Sequence, residues 1–269
     1  MNSMEELLKD CAGFLQEVTL LSSQWIQQLE TESTRDLVNY HPLNSGHMLR
    51  PLLVYITSSA FGEKISLECK QKLVYFAVSV ELMHNASLLH DDLIDEEEIR
   101  RGKKSLFKEY GLKNALLAGN IFYIKAIEIS NHYLESRQTA DLLRSALSMC
   151  EGEVFQAQYE NKQIPELDYN QIIRYKTGSL TALACRQAAA IVGGDEKTVE
   201  LFGKLGEEIG VMYQLRDDRK DQDVNLESQI AYNDRIDSSD EKILFIMEEL
   251  SKTQKLDQFK EIIAYFKKS

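Results

Sequence analysis

At 269 residues the chain is long enough to bury a sizeable core. Its 31 Lys and Arg against 43 Asp and Glu give a formal net charge of −12. That is the wrong sign for a nucleic-acid groove, although local cations can still surround an anionic ligand.

Only 3 prolines and 13 glycines punctuate the chain. Reversals are therefore few and segments long, which points to an all-α fold with short connections. No fixed-period repeat and no linker is visible, so one domain over residues 1–269 is the economical expectation. Cys11, Cys69, Cys150 and Cys185 are scattered without CxxC spacing, so neither a zinc site nor a disulfide framework is indicated. A reducing, cytoplasmic location is expected. The start MNSMEELLKD lacks the basic end and apolar run of a signal peptide, and no apolar run approaches the ~18 residues of a membrane span.

Residues 4–30 carry Leu7, Leu8, Cys11, Phe14, Leu15, Val18, Leu21, Trp25 and Leu29 at helical spacing, a core-facing stripe. A polar segment follows, and His41-Pro42 breaks the chain. Arg50-Pro51 suits a helix start, which puts Gly46, His47 and Arg50 near the positive end of that helix, where anions bind. Residues 65–95 form a long apolar helix, Gly111 marks a break, and 114–135 and 138–160 read as two more helices. After Pro165, a helix over 168–192 carries Arg174, Lys176 and Thr177, and Gly193-Gly194 closes it. The helix over 196–221 is followed by a polar stretch, 222–240, with the composition of a disordered segment. A last amphipathic helix carries Ile243, Leu244, Ile246, Met247, Leu250 and, further on, Phe259, Ile262, Ile263 and Phe266.

The chemistry lies in residues 81–102, ELMHNASLLHDDLIDEEEIRRG. An apolar helix ends there in six carboxylates, Asp91, Asp92, Asp95, Glu96, Glu97 and Glu98. Asp91 and Asp95 fall four apart on one helical face, at the end where the macrodipole disfavours anions. A cation is the simplest compensation, and Mg²⁺ is the natural one because it shares oxygen ligands with substrate phosphates. A single DDxxD in an acidic chain is commonly a solvated face. Here the spacing recurs as Asp217-Asp218-x-x-Asp221, again ending an apolar helix. Two such ends facing each other would hold several divalent ions and, through them, a diphosphate. Arg100, Arg101 and Lys176 could neutralise its oxygens. Small Ala86 and Ser87, one turn or so before Asp91, would leave an open apolar channel for a hydrocarbon tail.

GHMLRP at 46–51, residues 81–102, GEVFQ at 152–156, KTGSL at 176–180 and YQLRDDRKD at 213–221 together resemble the trans-isoprenyl diphosphate synthases, or polyprenyl synthetase family. The resemblance implies a helical bundle around a deep central cavity, generally a homodimer. It implies two or three Mg²⁺ ions on Asp91, Asp95 and Asp217, with Asp92, Asp218 and Asp221 as supporting acids at the same metal sites. It makes Arg100 and Lys176 binders of the allylic diphosphate, and His47, Arg50, His84 and Arg101 binders of isopentenyl diphosphate. Thr177 and Gln214 would turn oxygens toward the developing allylic cation. Met83, Ala86, Ser87, Phe122 and Tyr123 would set chain length, with no bulky side chain at 86 or 87 to stop growth at fifteen carbons.

The chain departs from the family pattern at three places. His47 stands where Lys is usual, Asn120 where Asp is usual, and 222–240 contain neither Gly nor Lys where a Gly/Lys-rich loop is usual. The first reading is chain elongation, an allylic diphosphate plus isopentenyl diphosphate giving a longer prenyl diphosphate of about twenty carbons or more. The runner-up keeps the allylic half and transfers the prenyl group to a peptide tryptophan, as in bacterial pheromone modification. A non-catalytic synthase subunit comes third.

Overall fold

The computed structural model describes residues 3–43, 48–62, 65–159, 164–220 and 226–268, with only the backbone course of 3–5, 220, 226–234 and 268. The expected His47 and Asp221 lie outside the described residues. Among the described residues the architecture is all-α, apart from one two-stranded ribbon. The chain packs as two compact units, Ala12–Leu52 with Lys70–Thr139, and Met1–Cys11 with Leu53–Cys69 and Ala140–Ser269.

The first of these is built on α4 (Leu67–Ile94). Apolar residues surround this helix rather than forming a stripe, and Phe76, Val80, Leu82, Met83, Ala86 and Leu89 are all buried. A helix apolar on every side belongs at the centre of a core. The C-terminal part of α1 (Ser3–Gln27) and α6 (Leu112–Tyr133) complete that core, with Trp25 edge-on to Phe122 at 5.5 Å. The stretch before His41, read above as a polar segment, is a helix, α2 (Glu32–Tyr40). It buries only Val38, but the Thr31 hydroxyl caps it by accepting from Thr34 N at 3.3 Å, and Glu32 suits its positive end. α3 (Leu49–Ser59) begins two residues before Pro51, so the proline is third and not first. It is tolerated there because the N–H it lacks is one of the first four, which have no intrahelical acceptor.

After α4 come β1 (Ile99–Arg100) and β2 (Lys103–Lys104), paired antiparallel, and then the short α5 (Leu106–Tyr110). Gly111 ends α5 at φ 81°, as its position in the sequence implies.

In the other unit α7 (Ser136–Ala157) precedes an interrupted segment. The expected single helix over 168–192 is α8 (Glu166–Ile173), a π-helical turn Arg174–Gly178, and α9 (Ser179–Ile191). α9 ends as its glycines predict: Gly193 N bonds Ala190 O at 3.1 Å and Gly194 N bonds Ala189 O at 2.9 Å. α10 (Glu196–Lys220) crosses α9 on glycines. A Cβ on Gly206 would clash with the Thr181 carbonyl oxygen and stand 2.8 Å from Cys185 Sγ. One on Gly210 would clash with Thr181 Oγ1.

The expected disorder over 222–240 gives way to helix from Leu226 onward, the start of α11 (Leu226–Ser251). No glycine or proline interrupts that polar stretch, so nothing stops a helix anchored further on by buried Ile236, Ile243 and Leu250. The expected last helix is two, with α12 (Asp257–Lys268) presenting Phe259, Ile262, Ile263 and Phe266 to the core. Phe259 meets Phe202 of α10, and Phe202 meets Phe61, at 5.8 and 5.6 Å between centroids.

Glycine substitutions separate these roles. Gly206→Ala should lose about 1–3 kcal/mol, because α9 and α10 must part to admit the methyl group. Gly13→Ala, in α1 with nothing near its Cβ, should gain about 0.5–1 kcal/mol from helix propensity. Urea unfolding of both variants checks the opposite signs, and equal signs would refute the close packing.

Candidate active site

The first acidic motif is shaped by how α4 stops. Asp95 N bonds the Asp91 carbonyl at 2.8 Å and Glu97 N bonds the Asp92 carbonyl at 2.8 Å, with Glu96 left-handed at φ 51°. This is the bonding of a glycine-type helix end with glutamate at the turning residue. Asp91 and Asp95 remain four apart, Asp91 half-buried and Asp95 exposed.

Asp92, one residue round the helix, points inward and is 1% exposed. Its Oδ1 accepts from Arg100 Nε at 2.6 Å and also from Nη2. Arg100 sits on β1, opposite Lys103. The two-residue turn between the strands has φ 52° at Arg101 and φ 76° at Gly102, the pattern of a type I′ hairpin. Glycine takes such angles freely, whereas arginine is strained there. The turn thus carries a cation at a position that folding would give to Asn, Asp or Gly. A pocket of about 180 Å³ opens here, lined by Tyr40, His41, Asp92, Arg100, Arg101, Lys103 and Lys104 among others.

Beneath it runs a buried polar chain. His41 Nε2 and Asn85 Oδ1 are 2.8 Å apart, and Asn85 Nδ2 donates to the Glu81 carbonyl oxygen at 2.7 Å. Burial pushes the Glu81 carboxyl up to about 6, against the pull of the Arg50 guanidinium, the Asn85 amide and Arg101. Burial, with Arg50 and Arg101 close by, holds the His84 imidazole well below its usual range. His84 is therefore neutral near pH 7, a hydrogen-bonding group and not a cation.

The second acidic motif ends α10. Asp217 is exposed and Asp218 half-buried, with both carboxylate oxygens of Asp218 bonded. Gln214 Nε2 donates to Asp218 Oδ1 at 2.8 Å, and the Tyr169 hydroxyl donates to Oδ2. Thr177 Oγ1 in turn donates to Gln214 Oε1 at 2.9 Å. Thr177 and Lys176 lie in the π-helical turn, and such wide turns are frequent at functional sites. Lys176 Nζ pairs with Glu153 at 2.6 Å and donates to Gln156 Oε1 at 2.8 Å. Gly152 lets its stem pass, since a Cβ there would stand 2.8 Å from Lys176 Cγ.

Residues 31–268 match the polyprenyl synthetase family model. The chain belongs to that family. It is 29% identical over 224 residues to a geranylgeranyl pyrophosphate synthase of Geoglobus acetivorans, covering 81% of this chain and 68% of that one. It is 30% identical over 207 residues to a geranylfarnesyl diphosphate synthase of Methanosarcina mazei, covering 77% and 65%. The chain spans less than two thirds of most of the curated relatives it matches. The crystal structure of a geranyltranstransferase from Thermotoga maritima superposes with a TM-score of 0.79 at 27% identity, covering 94% of this chain and 97% of that one.

Within this polyprenyl synthetase fold, the expected chain-length residues divide between α4 and α6. Met83 and Ala86 are fully buried, and Ser87, half-buried, bonds the His84 carbonyl at 2.9 Å. Phe122 is packed against Trp25 and His41, and Tyr123 against His90 at 5.3 Å. His90 lies over Gly119, where a Cβ would clash with its ring.

Among the described residues, no three His, Cys, Asp or Glu side chains gather into a ready metal cage. Magnesium does not need one, since it keeps several waters and takes one or two carboxylates plus phosphate oxygens. The Asp91 and Asp95 pair, and exposed Asp217, fit that donor set. No described helix is long and apolar enough to cross a membrane.

Glu81 offers a test of the buried chain. Its native carboxyl holds a proton more tightly than the unfolded one, so its favourable contribution is complete below pH 4.5 and lost as pH rises through about 6. Relative to Glu81→Gln, the protein should lose about 2 kcal/mol between those pH values, measured by urea unfolding. A pH-independent difference would show that the carboxyl is not buried as described.

Proposed function

We propose that this chain is a trans-prenyltransferase that condenses an allylic prenyl diphosphate with isopentenyl diphosphate. The product is a prenyl diphosphate of about twenty carbons or longer, with diphosphate released. The observation that carries the reading is that each of the two acidic helix ends pairs a more exposed carboxylate with a more buried one held by protein donors. Asp91 is half-buried beside buried Asp92, Asp217 is exposed beside half-buried Asp218, and Asp92 and Asp218 are bonded to Arg100 and to Gln214 and Tyr169. The names of the relatives support elongation.

Asp91, Asp95, Asp217 and Asp221 would hold two or three Mg²⁺ ions, with Asp92 and Asp218 as the acids that orient their surroundings. Bound magnesium supplies Lewis-acid stabilisation of the leaving diphosphate. Arg100 and Lys176 bind the allylic diphosphate, and their fixed positive charge favours breakage of its C–O bond. Arg50 and Arg101, with His47 and neutral His84 as hydrogen-bonding groups, bind isopentenyl diphosphate beside it. Thr177 and Gln214 turn oxygen dipoles toward the allylic cation. The isopentenyl double bond attacks that cation at C1, forming the new C–C bond, and the departing diphosphate takes the proton lost from isopentenyl C2. Apolar Met83, Ala86 and Leu89 exclude water that would quench the cation.

The protein acts as a homodimer in this reading. α7 leaves Leu143, Leu147 and Val154 exposed at 43%, 59% and 65%, and α6 leaves Leu117 and Ile124 exposed at 54% and 64%. Each set follows helical spacing, as an apolar stripe awaiting a partner does.

Diphosphate release from five-, ten- and fifteen-carbon allylic primers, with and without isopentenyl diphosphate, tests the activity. Release that requires isopentenyl diphosphate is the expected result. Release that requires a tryptophan peptide instead, or no release, would contradict it. Ser87→Phe, one turn before Asp91, should cap the product at about fifteen carbons by filling the tail's path, read by chromatography of the dephosphorylated products. An unchanged product distribution would show that Ser87 does not line it.

A further inference from the structure

We propose that Tyr169 of α8 is a positioning residue, which fixes the amide of Gln214 so that its oxygen lies beside Thr177. The inference rests on the prenyltransferase reading, because it concerns how that reaction's cation-facing groups are oriented.

The geometry is a directed series of donors. The Tyr169 hydroxyl donates to Asp218 Oδ2, and Gln214 Nε2 donates to Oδ1 at 2.8 Å. A carboxylate accepts only, so the nitrogen of Gln214 must face Asp218 and its oxygen must face away. The Thr177 hydroxyl spends its one proton on that oxygen, at 2.9 Å. The amide oxygen and the Thr177 oxygen, whose proton is spent, then present lone pairs on the side away from Asp218. That is the polarity a carbocation requires, and an amide flipped by half a turn would present N–H groups instead.

Tyr169 matters because it fixes the carboxylate at the head of the series. An Asp218 held by Gln214 alone could swing about its side-chain torsions and take the amide with it. A second donor on the other oxygen removes that freedom. The tyrosine ring is itself held. The Arg235 guanidinium of α11 stacks over it at 4.9 Å, and Arg235 also reaches Glu166 at 3.4 Å. Arginine on an aromatic face is attracted by the ring quadrupole. Tyr169 packs in addition against Ile173, Val211, Leu215 and Ile236. A residue on α11, past the second acidic motif in sequence, thereby steadies a side chain attached to that motif. Tyr169 also stands seven residues before Lys176, two helical turns along the chain.

The test is a double-mutant cycle on the full-length protein. Tyr169→Phe keeps the ring and loses the donor, and it should lower kcat by about 10- to 100-fold, the usual effect of removing an orienting hydrogen bond. KM for both substrates and the melting temperature should stay close to those of the unaltered protein. In a Gln214→Ala background the same change should have almost no further effect on kcat, because the group it positions is gone. Equal losses in both backgrounds, or a loss carried by KM alone, would overturn the proposal. A readout without substrate separates this from failure of the prenyltransferase reading. The Gln214 side-chain amide, assigned by its absence in Gln214→Ala, should exchange its protons with solvent faster in Tyr169→Phe. Unchanged exchange would overturn the proposal whatever the protein's activity. Lost elongation in the unaltered protein, with the exchange result as expected, would overturn only the reading of function.

Discussion

The bond between Asp92 and Arg100 decides the geometry of the first acidic motif. A carboxylate 1% exposed at the end of a buried helix costs free energy unless a charged donor meets it, and Arg100 does so through two nitrogens. The partner lies eight residues along the chain, so the intervening turn must fold back at once. That requirement accounts for left-handed Glu96, and the hairpin that follows, with its left-handed Arg101, pairs the strand that carries Arg100 with β2. Each strained residue costs about 1–3 kcal/mol alone, and the buried ion pair helps to hold them. The result is a hairpin that concentrates Arg100, Arg101, Lys103 and Lys104 around a pocket that Asp92 also lines.

The same economy appears at the second motif. Consecutive helical residues point 100° apart, so of two adjacent aspartates one can face solvent while the other faces the protein. Asp217 is exposed and Asp218 is bonded to Gln214 and Tyr169. Asp91 is half-buried and Asp92 is bonded to Arg100. Each double aspartate thus ties its second carboxylate into the scaffold. Lys176 follows a related rule, with Glu153 and Gln156 holding its ammonium in place and Gly152 clearing its path.

Much of this was legible in the sequence, because the long helices carry continuous apolar patterns and both acidic motifs end them. The stops at Gly111 and Gly193 follow from glycine's freedom at positive φ. What escaped has particular causes. α2 buries one apolar residue, so its pattern is faint and its stability lies in a Thr31 cap. The helical start of α11 is polar, and composition alone read it as disorder. The π-helical turn at Arg174–Gly178 adds one residue to a turn inside a run of helical φ and ψ, with no proline to mark it. The hairpin hid because its turn uses Arg101 where Asn or Gly is usual. Tyr169 and Glu81 resemble ordinary helix residues until their partners, Asp218 and the Asn85 to His41 chain, are seen.

The central claim is that these paired acids and captive cations extend a prenyl chain. Mass spectrometry measures it most directly, on the dephosphorylated product of farnesyl diphosphate and carbon-13-labelled isopentenyl diphosphate with magnesium. The account predicts a prenyl alcohol heavier than farnesol, carrying labelled carbon in every added five-carbon unit. Unlabelled farnesol as the sole prenyl species would contradict it.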